Sequence, residues 1–72
     1  MVSFYNIKVD NGVVTAHAVN EMNGIEEDVI GHEFDDWTNA VDPEIRKAIW
    51  SLIFRYQGKK KGYPKQTTVA WY

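Results

Sequence analysis

The segment from Asp42 to Gly58 constrains the fold most, because it carries both end signals of one helix and a single apolar stripe between them. Asp42 is a good N-cap, Pro43 fits the first helical position, and Glu44 suits the positive end of the helix dipole. Ile45, Ala48, Ile49, Leu52, Ile53 and Tyr56 recur at spacings of three and four, which aligns them on one side. Gly58, after Gln57, is a natural C′ residue. A lone helix cannot cover its own stripe. The rest of the chain must supply a surface for it.

The residues before the helix read as that surface. Asn11-Gly12 lies between two β-rich runs, and Asn-Gly favours the positive φ angles of a two-residue type I′ turn. Such a turn sets Val9 opposite Val14, Ile7 opposite Ala16 and Tyr5 opposite Ala18, all on one side of the sheet. Asn6, Lys8, Thr15 and His17 then occupy the other side, with Phe4 and Val19 at its far end. Asn23-Gly24 repeats the signal and predicts a third strand over 27–34, in which Gly31 is a natural place for a bulge. Residues 35–41 read as a short helical turn, with Trp37 and Val41 closing one end of the core. After the helix, 58–65 reads as an exposed basic loop. The β-branched and aromatic run 66–72 reads as an edge strand, parallel to the first or the third. The expected fold class is α+β in a single domain over 1–72: β-β-β-α-β, an antiparallel sheet with one helix across one face.

A chain of 72 residues buries only about 60% of its unfolded surface, so its core must be well made. Three Trp, four Tyr and three Phe supply the apolar area. The absence of cysteine excludes disulfides and thiolate metal sites, and fits a reducing compartment. No run approaches the ~20 apolar residues of a membrane span, and the N-terminus lacks a basic head followed by an apolar run. The expectation is a soluble, cytoplasmic protein that does not engage membranes.

The net charge of −2 conceals a division. Residues 1–44 hold all ten acids and one base, Lys8, whereas residues 45–72 hold seven bases and no acid. Such asymmetry is a hint of a charged partner, although the two halves also attract each other within one fold.

Four features bear on function. Trp50 and Phe54 are one turn apart on the helix, well away from the apolar stripe and flanked by Arg46, Lys47 and Gln57. An aromatic pair bordered by bases suits a protein interface or a base-stacking platform. Lys59, Lys60, Lys61 and Lys65, with Tyr63 beside them, form a loop able to follow a phosphate backbone. The acids Glu26, Glu27, Asp28, Glu33, Asp35 and Asp36 lack the spacing of a calcium loop and read as a solvated face. His17 and His32 fall on neighbouring strands, where His32 is expected opposite Thr15; two imidazoles make a poor zinc site. No metal and no cofactor are expected.

Catalysis has little to build on. The chain has no nucleophile elbow, no phosphate-cradling glycine loop and no metal-hydrolase helix. In order of elements only, three antiparallel strands followed by a helix resemble the DNA-binding domains of some phage integrases and plant transcription factors. The outer sheet face here offers just Lys8 and His17, so no residue is carried over from them.

The expected function is non-enzymatic: a module that docks to a protein through Trp50, Phe54, Arg46 and Lys47, as accessory and inhibitor proteins of phages and mobile elements often do. The alternative is nucleic-acid binding through Lys59, Lys60, Lys61, Tyr63 and Lys65, aided by Arg46 and Lys47. A homodimer is a third expectation, with the acidic half of one copy against the basic half of the next, or with Trp50 and Phe54 paired across a two-fold axis.

Overall fold

The structure, a computed structural model, describes residues 1–32, 38–56 and 59–70. Strands β1 (Val2–Asp10), β2 (Val13–Asn20) and β3 (Glu26–His32) precede helix α1 (Pro43–Tyr56), and β4 (Thr67–Val69) follows it. They form one antiparallel sheet in the order β3-β2-β1-β4, with α1 packed across one face: the α+β architecture expected.

The first hairpin turns as the dipeptide dictates. Asp10 pairs with Val13 around Asn11 at φ 51° and Gly12 at φ 77°. The expected register holds from Asp10 to Lys8 and then slips, because Tyr5 pairs with His17 and not with Ala18. Asn6 and Ile7 together face Ala16, and Asn6 takes φ 53°, which an asparagine tolerates better than most residues. This bulge inverts the side-chain phase of the start of β1. Phe4 and Val2 are therefore fully buried, while Tyr5, expected inside, lies 38% exposed on the outer face.

The second hairpin departs further from expectation. Residues 21–24 form a longer loop: the Asn20 N–H donates to Ile25 C=O, and the Gly24 N–H donates back to Asn20 C=O. Gly24 has φ 75°, whereas Asn23 is not in the left-handed region. The register moves by two residues, so His32 opposes Val13, Ile30 opposes Thr15 and Asp28 opposes His17. Pairing runs unbroken through Gly31, which is no bulge. Its role is clearance. A Cβ there would stand 2.7 Å from Ile53 Cδ1 and 3.1 Å from Ile49 Cγ1, so the glycine lets α1 sit down on β3.

Thr38 forms a single antiparallel bridge with Gly31, and 38–41 is not helical. Val41 is exposed and closes nothing; Ala40 is the residue buried there. The other parts of that expectation, residues 35–37 and the strand end at 33–34, lie outside the described residues.

Both long strand edges are occupied. The Asn39 carboxamide accepts from the Ile30 N–H (2.7 Å) and donates to Asp28 C=O (3.0 Å), the two bonds that a residue of a parallel strand would make around Val29. On the opposite edge the Lys65 C=O accepts from the Ile7 N–H (3.0 Å) and the Tyr63 hydroxyl accepts from the Val9 N–H (3.2 Å). β4 continues that edge but runs antiparallel to β1, not parallel as expected. The helix explains the direction. It starts beside the 21–25 loop and ends near the Asn11-Gly12 turn, so the returning chain must run against β1.

The core is the helix stripe set against the inner sheet face. Ile45, Ala48, Ile49, Leu52, Ile53 and Tyr56, the six residues read from periodicity, are all buried. They meet Val2, Phe4, Ile7, Val14, Ala16, Ala18, Val29 and Val69.

Candidate interaction face of the helix

The start of α1 is pinned by a polar network. Asp42 caps it, its carboxylate accepting from the Ile45 N–H at 3.1 Å. The same carboxylate takes the Asn20 amide at 2.9 Å and the Asn23 amide at 3.2 Å. The Asn20 amide, then the Ile45 N–H and the Asn23 amide, hold the Asp42 carboxyl below its ordinary range, against the opposing effect of burial. Glu27 completes the junction by accepting from the N–H groups of Val41 and Asp42 at 2.8 and 2.9 Å. The second hairpin thus fixes where the helix begins, and hence which way its outer face looks.

On that face Phe54 is 75% exposed. Trp50 is half-buried and packs against the core, with its ring centroid 6.1 Å from that of Phe54 and the planes tilted by 36°. Trp50 thereby stiffens a ring that is otherwise open to solvent. Lys47 is exposed one turn before Trp50. The Arg46 guanidinium donates from Nε and Nη2 to the Ala40 carbonyl, at 3.1 and 2.7 Å, and so reaches back past the helix start. Arg55 is exposed toward the C-terminal end. Glu44 is the only acid of the helix, so its outer surface is basic around the aromatic pair.

The other sequence-read residues are distributed elsewhere. Lys59, Lys60, Lys61 and Lys65 are exposed beyond the helix C-terminus. Tyr63 is half-buried, with its ring 6.1 Å from that of Tyr56 and the Lys65 Nζ 5.7 Å above it. The tyrosine therefore fastens the basic loop to β1 as well as lining it.

The described acids of the tract serve two different ends. Glu27 holds the helix start, while Glu26 and Asp28 each accept from His17, at 2.9 Å on Nε2 and Nδ1 respectively. Ionised carboxylates can only accept, so the two contacts are hydrogen bonds at the same time only when both ring nitrogens carry protons, as in the imidazolium. Glu26 first and Asp28 second raise its pKa above the ordinary 6.5. The two carboxylates sit on opposite nitrogens and do not converge on one point, and His32 is four residue pairs away. Glu33, Asp35 and Asp36 lie outside the described residues. Next to His17, the bulge leaves an open depression of about 250 Å³ between Asn6, Lys8, Thr15 and Ile30.

Met22 (82%) and Ile25 (43%) are exposed apolar residues that were not singled out in the sequence, and Val41 (82%), expected in the core, is exposed as well. The signal was present as apolar residues inside loops of turn composition, but it takes the bonds from Asn20 and Asn23 to Asp42 to show that the two loops share one end of the molecule. No helix among the described residues is long and apolar enough to cross a membrane. No family model matches the chain, and neither a curated protein nor a solved structure shows significant similarity to it.

Proposed function

We propose that this chain is a small non-enzymatic binding module that docks onto another protein through the outer face of α1, with Phe54 as the anchor. The observation that carries this reading is a large aromatic ring, 75% exposed, braced by Trp50 on a helix that is capped and packed along its whole inner side. Anchors of this kind bind by filling a preformed apolar pocket, and a rigid presentation lowers the entropy lost on docking. Lys47, Arg46 and Arg55 around the ring favour a pocket with an acidic rim, which they would also help the module to find. An accessory or inhibitor role, of the sort small phage and mobile-element proteins perform, needs nothing more than such a face.

Phe54→Ala is the direct test. Truncating an exposed ring should change stability by no more than about 0.5 kcal/mol. Capture of the partner from a lysate of the encoding organism, by immobilised wild-type protein, should fall at least tenfold with the variant. Equal capture by both proteins rules out this face. Trp50→Ala is the poorer probe, because it also removes packing from the core.

Nucleic-acid binding is a second reading, favoured by the consecutive exposed lysines 59–61. Titration of mixed-sequence DNA and RNA across salt concentrations separates the two. Phosphate contacts predict affinity that falls steeply with salt, and absence of binding at low salt ends that reading.

A further inference from the structure

The charge division of the sequence becomes a spatial one. Between Asn20 and Glu44 there is no lysine or arginine, and the parts of this stretch that form the 21–25 loop and the helix start meet at one end of the molecule. That end carries Met22, Ile25 and Val41, exposed on segments that also hold Glu21, Glu26 and Glu44, with the Arg46 guanidinium on the Ala40 carbonyl and Met1 beside Glu21 as the bordering cations. The helix runs from there toward Tyr56, Tyr63 and the lysine loop at the opposite end, bringing Trp50 and Phe54 into its basic half. The described residues therefore present two apolar patches of different surround: a tip with more acids than bases and a cationic helix face.

We infer that these patches fit each other, so that the tip of one copy, through Met22, Ile25 and Val41, docks head-to-tail on the Trp50–Phe54 face of a second copy. The inference rests on the reading of the helix face as a docking surface and names its occupant. Charge complementarity selects this pairing over a two-fold one, because tip against tip sets acid on acid and face against face sets base on base. The contact is heterologous, so each copy keeps one free tip and one free face, and association grows with concentration instead of stopping at a dimer. Patches of so few side chains give weak binding, on the order of 0.1–1 mM.

Complementary variants test it. Phe54→Ser disables the face, and Met22→Ser with Val41→Ser disables the tip; all three positions are at least 75% exposed, and circular dichroism verifies that each variant folds. Light scattering should show the wild-type mass rising above 8.3 kDa with concentration, and the association constant falling roughly tenfold between low and molar salt as screening shortens. Each variant alone should stay at monomer mass. An equimolar mixture should move toward twice that mass and no further, because the intact tip of one variant meets the intact face of the other. A wild type that remains monomeric to about 1 mM overturns the inference, as does a mixture that behaves as two separate monomers. Either result leaves docking to a foreign partner to be decided by the Phe54→Ala capture.

Discussion

Both hairpins are built on Asn-Gly, and the dipeptide does different work in each. In the first, both residues adopt positive φ and the turn is closed by backbone geometry alone. In the second only Gly24 does, the loop is two residues longer, and the asparagine side chains reach out: Asn20 and Asn23 to Asp42, and Asn23 also to the Ile25 N–H. The first turn is local, whereas the second is recruited by the helix it must hold. A turn motif therefore fixes register only when nothing distant competes for its side chains.

Substitutions break or sharpen this contrast. Asn20 is 1% exposed and serves the Asp42 cap and the Met22 N–H at once, so Asn20→Ala should cost about 2–3 kcal/mol by urea titration. The same variant should weaken the acid dependence. The Asp42 pKa is depressed below 3.8, so its stabilisation is complete above that value and is lost as the pH falls through the folded-state pKa. Removing the Asn20 amide, the largest cause of the depression, should make the loss shallower. An unchanged acid limb would show that Asn20 matters for packing alone.

Gly31→Ala comes next, at about 1–2 kcal/mol, since its methyl would press on the Ile53 and Ile49 side chains. A neutral result would mean that α1 can lift from β3, contrary to a second hairpin locked by the helix. Gly12→Ala in the first hairpin should cost about 1 kcal/mol, from a φ of 77° that L residues resist. It should leave the acid limb untouched, because that turn has no link to Asp42.

The same contrast decides what could be read from the chain. The helix stripe and its cap were legible because periodicity and capping are local, and all six stripe residues and the cap lie where expected. The inversion at Phe4 and Tyr5 left a trace that ideal alternation overrode: Val2 and Phe4 are one residue out of phase with Ile7 and Val9, and an asparagine lies between the two sets. Gly31, Asn39 and Glu27 gave no such trace. Their roles are to admit a helix, to occupy a strand edge and to hold a loop, and each exists only once distant residues have met. The pair Trp50 and Phe54 was legible by subtraction, as the large apolar residues that the stripe does not use, but the half-burial of Trp50 and the openness of Phe54 depend on packing that periodicity does not carry.

The smallest expected effect lies on the outer face of the second hairpin, where His17 bridges β2 to Glu26 and Asp28 on β3. The first hairpin has no counterpart: Tyr5 stands opposite His17 on β1, and Lys8 lies beyond the bulge, opposite Thr15. With the His17 pKa raised above 6.5, the bridge contributes fully below that pH and is lost as the pH rises through the folded-state value. One of the two carboxylates then faces a ring nitrogen without a proton. The difference in urea midpoint between wild type and His17→Gln should accordingly favour wild type at pH 5.5 and vanish by about pH 9. A difference that is the same at both pH values would mean that the edge strand is held by its backbone ladder and by Asn39, with the imidazolium contributing nothing.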